Sequence, residues 1–148
     1  MSKKKSKYVA GIPIIANPVG SEYGLTTEKS SSDISELDFS NSGLRIVVIT
    51  SPRGSLQHLW LEYYFPRVRG FRLLEEIDLM RYWETNQFSS DHHLFEITFG
   101  GWLDQESQLP GMIEHSIGAR REWFIRTTNG SANVISGEQP LIRELHKR

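Results

Sequence analysis

Apolar and polar residues alternate most regularly in the stretch LQHLWLEYYF, residues 56–65. Successive side chains of a β-strand point to opposite faces, so this pattern predicts a strand with two faces of different character. The predicted core-facing side consists of Leu59, Leu61, Tyr63 and Phe65. The opposite side consists of His58, Trp60, Glu62 and Tyr64, and the last three combine two aromatic rings with a carboxylate.

Other apolar runs predict further strands. LRIVVITS (44–51) is rich in β-branched residues and is bounded by Gly43 and Pro52, which is typical of a strand buried on both faces. FRLLEE (71–76) and HLFEITF (93–99) are two more short strand candidates.

Two hairpins follow from the order of these runs. Residues 56–65 and 71–76 are joined by five residues, which predicts that they pair with each other. Apolar runs also flank Asn129-Gly130, and this dipeptide can adopt the positive φ angles of a tight turn. Residues 121–136 are therefore predicted to form the second hairpin.

Two segments have a helical pattern instead. In EEIDLMRYWETN (75–86), Leu79, Met80 and Trp83 fall on one helical face. PLIRELHKR (140–148) predicts a short helix that begins at its proline.

The N-terminal part differs in composition. Residues 1–43 are predicted to be an arm that is partly irregular, with one edge strand in residues 8–24, where two prolines disfavour a central position. The serine-rich residues 26–43 are expected to be a loop or mobile arm with a single helical turn near residues 33–38. Residues 44–148 are the predicted core domain. The predicted fold class is α+β, a single domain with a mostly antiparallel sheet of five or six strands and two or three short helices.

Charge is distributed unevenly along the chain, although the net charge is only −1. Residues 58–106 contain nine acidic residues and four arginines, a balance of −5. From residue 120 onward, six bases face three acids, a balance of +3. The acidic middle disfavours nucleic acid as its partner and favours a basic protein surface; the alternative is an ordinary solvated face.

The Gly100-Gly101-Trp102 corner is predicted to be structural. Glycine permits positive φ where a strand must stop, and Trp102 can fold over the sheet edge as an apolar lid. Asp104 and Glu106 would then point outward from a short helix or loop.

The sequence lacks the motifs of common catalytic and metal sites. It has no cysteine, its five histidines lack helical ligand spacing, and no serine lies in a nucleophile-elbow motif. No catalytic residue, metal ligand or cofactor is therefore predicted. Arg67, Arg69 and Arg72 could hold an anion or could pair with neighbouring acids. A membrane helix and a signal peptide are not expected, and the absence of cysteine favours a cytoplasmic protein.

Aromatic and acidic residues of the middle region suggest a surface that grips a basic partner. The predicted partner-binding residues come from residues 59–65 and from the glycine corner: Trp60, Glu62, Tyr64, Trp102, Asp104 and Glu106.

Three stretches, FPRVRGFRLLEEIDLMRYW, HLFEITFGGWLDQES and NVISGEQPLI, together resemble small bacterial immunity proteins of polymorphic or contact-dependent growth inhibition toxin systems. The resemblance spans about residues 44–142 and implies a non-enzymatic cytoplasmic protein that occludes the active site or a nearby surface of a cognate toxin. The modest net charge departs from strongly acidic members, so simple mimicry of nucleic acid is not expected.

Two alternative functions remain open at the level of sequence. One is a small hydrolase-type enzyme in which His58, His92, His93 or His115 meets a carboxylate in a cleft. The other is a single-stranded nucleic-acid-binding module, which would need a basic surface around Trp60 and Tyr64.

Overall fold

The structure is a computed structural model, and it describes residues 13–20, 31–51, 58–88, 92–107 and 120–145. This part of the chain forms nine β-strands and two short α-helices. The strands are β1 Ile15–Pro18, β2 Ser31–Ser40, β3 Gly43–Ser51, β4 Leu59–Phe65, β5 Gly70–Glu75, β6 Leu94–Phe99, β7 Glu122–Arg126, β8 Gly130–Ile135 and β9 Leu141–Leu145. A 3₁₀ turn, Glu76–Leu79, leads into α1 Met80–Trp83, and α2 is Trp102–Glu106.

The strands form two antiparallel sheets rather than the single sheet expected from sequence. The five-stranded sheet has the order β1-β6-β7-β8-β5, and the four-stranded sheet has the order β2-β3-β4-β9. The antiparallel pairing is as predicted, but the described chain is mostly β, with little helix.

The main core lies between the two sheets. Its buried residues come from the inner faces of β3, β4, β6, β7 and β8, and they are Leu44, Ile46, Val48, Leu61, Tyr63, Phe65, Leu94, Trp123, Ile125, Ala132 and Val134. The predicted core-facing side of β4 is confirmed, because Leu61, Tyr63 and Phe65 are all buried in this core.

A second core covers the outer face of the five-stranded sheet. Tyr82 of α1 stacks on Phe124 of β7 with ring centroids 4.8 Å apart, and Phe88 packs against both rings. The helical segment was predicted, but its buried face contains Leu79 and Tyr82, while Met80 is 51% exposed. The 3₁₀ turn has a different angular spacing from an α-helix, which rotates Met80 away from the sheet.

The predicted hairpin between β4 and β5 is wrong, because these strands belong to different sheets. The edge of β4 is occupied by β9, with Tyr63 opposite Ile142. The chain instead crosses to the other sheet, where Arg69 N donates to Ile135 O at the start of the β5–β8 pairing. Alternation along β4 showed its faces but could not show which strand lies beside it.

Two segments expected to be irregular or helical are strands. Residues 31–40 form β2 and pair along β3, where a loop with a helical turn was expected. A bulge between Ile34 and Glu36 shifts the alternation, so Ile34 and Leu37 have a helix-like spacing although both face the main core. Residues 141–145 form β9 instead of a helix, because pairing with β4 outweighs the local preference.

Other strand predictions are confirmed. β1 is an edge strand and β3 occupies the run after Gly43. β7 and β8 form the predicted hairpin, and Thr127 N donates to Gly130 O across its turn. Neither Asn129 nor Gly130 has a positive φ, so the expected backbone geometry of that turn is wrong.

Replacement of Phe65 tests the position of the main core. Phe65 is fully buried between the sheets, so Phe65→Ala should lower the free energy of unfolding by about 3–5 kcal/mol, measured by chemical denaturation. Leu141→Ala, at a 62% exposed residue of β9, should change it by about 0.5 kcal/mol or less. Equal losses in the two variants would contradict the assignment of faces.

Candidate functional site

The outer face of the four-stranded sheet has no helix packed on it within the described residues. The five-stranded sheet carries the 3₁₀ turn and α1 on its outer face, whereas no described helix packs on the outer face of the other sheet. This face contains Trp60, Glu62 and Tyr64, as the alternation in β4 predicted.

Strand pairing arranges the side chains of this face in rows. The central row runs Glu36–Val47–Glu62–Arg143 across β2, β3, β4 and β9. A flanking row contains Asp38, Arg45, Tyr64 and Leu141, and the row on the other side contains Ile49, Trp60 and Leu145. Charged groups therefore occupy the centre, and larger apolar groups lie on both sides of them.

Ion pairs connect all four strands across the centre. Arg45 Nη1 lies 2.8 Å from Glu36 Oε1, and Arg45 Nε lies 2.5 Å from Glu62 Oε2. Arg143 Nε lies 2.7 Å from Glu62 Oε1. We call Glu36, Arg45, Glu62 and Arg143 the ion-pair ladder. The guanidinium of Arg45 bridges the carboxylates on either side of Val47, which explains why this outward-facing valine is fully buried.

The ladder favours its charged state. Burial raises the pKa of Glu62, but hydrogen bonds and charges from Arg143 and Arg45 outweigh that effect and hold its pKa below the ordinary value. The hydrogen bonds to Glu36 and Glu62 raise the pKa of Arg45. Glu62 is thus a paired anion within the surface, and its carboxylate is already occupied by two arginines of the same chain.

Apolar groups flank the ladder. Tyr64 is half-buried, and its hydroxyl donates to Ser42 O, while Leu141 opposite it is 62% exposed. A shallow groove of about 450 Å³ runs between Tyr64, Leu141, Arg45, Glu62 and Arg143. Trp60 is half-buried and belongs to neither core cluster, which fits a residue of the surface rather than of the interior.

The glycine corner lies on the other side of the molecule, against the outer face of the five-stranded sheet. Gly100 has φ +78° and approaches Pro13 so closely that a Cβ would lie 1.9 Å from Pro13 O. Asp104 Oδ2 accepts from Gly100 N at 2.6 Å, and Glu106 Oε2 accepts from Trp102 Nε1 at 3.2 Å. The Arg72 guanidinium lies 4.7 Å from the centre of the Trp102 ring. The Gly100-Gly101-Trp102 corner is therefore a structural turn at the end of β6, as the sequence predicted.

A buried carboxylate that sequence reasoning missed holds this corner. Glu122 of β7 accepts from Trp102 N and Leu103 N at the start of α2, at 3.1 and 2.9 Å, and from Asn133 Nδ2 at 2.6 Å. Burial raises the pKa of Glu122, against the opposing effect of these three donors. No local sequence signal links residues 122 and 102, because only the pairing of β6 with β7 brings them together.

The six predicted partner-binding residues therefore form two separate groups. Trp60, Glu62 and Tyr64 lie on the outer face of the four-stranded sheet. The second group, Trp102, Asp104 and Glu106, lies against the outer face of the five-stranded sheet, with both sheets between the groups. The structure does not bring them into one surface, and partner binding by either group stays a prediction. Arg45, Arg143 and Leu141 join the first group. Sequence reasoning missed Arg143 and Leu141 because β9 was expected to be helical, and it missed Arg45 because strand order has no local signal.

The described histidines do not meet carboxylates. His58 Nδ1 lies 2.8 Å from Ser51 Oγ, and His93 Nδ1 lies 3.0 Å from Arg126 O. Burial lowers the pKa of His93, which favours its neutral form. His115 lies outside the described residues. Within the described ranges, no group of three or more histidine, aspartate or glutamate side chains could hold a metal ion.

The three arginines of RVRGFR point to different partners. Arg67 pairs with Glu138 at 2.7 Å, and Arg72 donates to Asn133 Oδ1 and Tyr82 Oη. Arg69 is exposed at the start of β5. These side chains do not form a common anion site.

Comparison with protein-family models, curated proteins and solved structures gives no match to this chain. In the part of the chain that the structure describes, no helix is both long enough and apolar enough to cross a membrane.

The ion-pair ladder predicts a specific dependence of stability on pH. Glu62 has a folded pKa below its ordinary value of 4.5, so its stabilisation is complete above that pH and is lost as the pH falls through the folded pKa. Glu62→Gln should lower the free energy of unfolding by about 1–3 kcal/mol at neutral pH, and the difference from wild type should shrink in acid. Denaturation at a series of pH values measures both. The matched change Glu144→Gln, at an exposed carboxylate of β9, should have little effect. A difference that does not depend on pH would contradict the ladder.

The close packing of the corner is tested with two glycines. A Cβ at Gly101 would lie 2.6 Å from Glu122 Oε1 and 2.7 Å from Ile97 Cγ2. Gly101→Ala should therefore displace Glu122 from α2 and destabilise the protein by about 1–3 kcal/mol. At Gly70 the nearest atom, Trp102 Cη2, would be at an ordinary 3.6 Å, so Gly70→Ala is the control. Similar melting temperatures for the two variants would show that the corner is looser than described.

Proposed function

We propose that this protein is a non-enzymatic protein-binding protein that uses the outer face of the four-stranded sheet as its contact surface. Its most concrete form is a cytoplasmic immunity protein that neutralises a cognate bacterial toxin by occluding the active site or a nearby surface. The observation that carries the proposal is the contrast between the two sheets: one has an outer cover of helix, and the other presents aromatic and aliphatic groups around an ordered ion-pair ladder.

The chemistry of this face suits a protein partner. Half-buried Trp60 and Tyr64 and exposed Leu141 provide apolar area that a partner can remove from water. Aromatic residues are enriched where interfaces gain most of their binding energy. Arg45 and Glu62 are already held by ion pairs, so little side-chain freedom would be lost when a partner binds.

The charge of the four-stranded sheet supports a basic partner. Its outer face contains four acids and two arginines, a balance of two negative charges: Asp33, Glu36, Asp38 and Glu62 against Arg45 and Arg143. Asp38 has a 76% exposed side chain and is available for new contacts. Since Glu62 is already paired twice, the exposed acids at the rim are better placed to attract the partner.

The same facts weigh against the two alternative functions. A single-stranded nucleic-acid site would need a basic surface around Trp60 and Tyr64, and the outer face of this sheet has four acids against two arginines. The enzyme alternative would need a histidine within reach of a carboxylate, and among the described residues His58, His92 and His93 have no hydrogen bond to one.

Replacement of Trp60 should weaken partner binding without affecting folding. Trp60→Ala should weaken the complex with the toxin by about 2 kcal/mol or more, roughly thirtyfold, and leave the fold intact. The candidate toxin is the product of the gene adjacent to this one. Binding is measured by titration calorimetry, and neutralisation is measured as growth of cells that express both proteins.

Ile77→Ala is the matched control, because Ile77 is 79% exposed on the 3₁₀ turn at the covered side of the other sheet. It should leave affinity and growth unchanged. Full neutralisation by Trp60→Ala, or unfolding of that variant to the extent expected for Phe65→Ala, would refute the proposed surface. An adjacent gene whose product neither inhibits growth nor binds would refute the toxin as partner.

A further inference from the structure

The described sheets have four edge strands, and three of them carry features that prevent pairing with another chain. β1 is only four residues long and ends at Pro18. β9 follows Pro140 and contains Arg143 and Glu144. β2 has three acids and a bulge between Ile34 and Glu36. Short length, proline, charge and bulges are the usual means by which proteins protect sheet edges.

β5 is the exception. It pairs with β8 without a register shift over Gly70–Glu75, and its other edge has no strand partner among the described residues. The strand contains no proline. Its arginine, Arg72, is turned toward β8, where it donates to Asn133 Oδ1 at 3.0 Å. Its charge therefore does not lie along the free edge, where it would disfavour pairing with another strand.

Exposed apolar groups lie along this edge. Phe71 and Leu73 alternate onto the side of β5 that faces the main core, and Leu73 is 57% exposed. Phe39 of β2 is also 57% exposed, and its ring centroid lies 5.4 Å from that of Phe71. We call Phe39, Phe71 and Leu73 the apolar stripe. It would lose water if a further strand were added to β5.

The charges at the two ends of β5 are opposite. Arg69 immediately precedes the strand and Glu75 is its last residue, and both side chains are exposed. Neither forms an ion pair within the described part of the chain. In an antiparallel pair of two identical strands, the start of each strand lies beside the end of the other, so Arg69 and Glu75 would meet twice.

We propose that β5 pairs antiparallel with β5 of a second copy of this chain, which joins two five-stranded sheets about a two-fold axis. The register that fits both features places Phe71 opposite Leu73 of the second copy, with Arg69 near Glu75 at each end. Opposite-charge and aromatic–aliphatic cross-strand pairs both stabilise antiparallel strands. The occupant is a second copy because this register pairs Arg69 with Glu75 and Phe71 with Leu73 at both ends. Arg72 lies opposite its own copy, but its hydrogen bonds to Asn133 Oδ1 and Tyr82 Oη direct its guanidinium toward β8 and α1 of its own chain.

The contact is small, so the dimer is expected at micromolar and higher concentrations rather than as an obligate assembly. It uses a surface separate from the outer face of the four-stranded sheet. The proposal therefore does not depend on the proposed toxin-binding function, and each can fail alone.

Sedimentation velocity of the full chain from micromolar to millimolar concentration tests the proposal. Wild type should shift from monomer to dimer, and Leu73→Lys should remain monomeric at all concentrations with an unchanged melting temperature, because this side chain is exposed. Ile15→Lys is the matched control, at a 46% exposed residue of β1 on the opposite edge of the same sheet, and it should dimerise like wild type. A monomeric wild type, or a dimer that persists in Leu73→Lys, would overturn the proposal.

A charge exchange tests the antiparallel arrangement. Arg69→Glu and Glu75→Arg should each weaken self-association at least tenfold, because each places like charges together at both ends. An equimolar mixture of the two variants should restore the dimer as a heterodimer, detected by native mass spectrometry. Failure of the mixture to associate when both variants are folded would exclude the antiparallel β5 contact.

Discussion

The packing of the two inner sheet faces against each other determines which sheet faces of the described chain lie outside the main core. One face of every central strand is buried in this contact, and β4 contributes Leu61, Tyr63 and Phe65 to it. The 3₁₀ turn and α1 then cover the other face of the five-stranded sheet. The outer face of the four-stranded sheet receives no such cover from the described helices, so the residues that alternate with the β4 core residues form its surface.

The polar side chains on this outer sheet face need hydrogen-bond partners, and its strands need contacts that hold them together. The ion-pair ladder provides both, because Arg45 and Arg143 neutralise Glu62 and connect strands that are distant in sequence. Exposed ion pairs contribute little stability individually, but the carboxylate of Glu62 is nearly inaccessible and is held by both arginines. The ion pairs therefore hold the centre of this surface in place, and the apolar groups of Trp60, Tyr64 and Leu141 flank that centre.

Sequence periodicity predicted the elements whose pattern is undisturbed. The alternation of β4, the β-branched run of β3 and the two apolar runs of the β7–β8 hairpin all became strands. β2 was missed because its bulge changes the period between Ile34 and Glu36. β9 was missed because Pro140 before a short mixed run resembles a helix start.

Sequence patterns predicted only some of the residues of the candidate site. Alternation placed Trp60, Glu62 and Tyr64 on one face, but their neighbours Arg45 and Arg143 depend on strand order, which has no local signal. The division into two sheets likewise separates Trp102 from Trp60, although both precede acidic residues in the sequence. The local alternation of apolar and polar residues therefore predicted which side chains share a face of one strand. The pairing of strands distant in sequence determined which of these side chains become neighbours.

Hydroxyl-radical footprinting with and without the product of the adjacent gene, the proposed toxin, tests the central claim most directly, because mass spectrometry reads the oxidation of each side chain. The outer face of the four-stranded sheet should become protected, with lower oxidation of Trp60, Tyr64 and Leu141. Met80, half exposed on the covered side of the other sheet, should be oxidised equally in both states. Protection of Met80 or Trp102 with no change at Trp60 and Tyr64 would contradict the account.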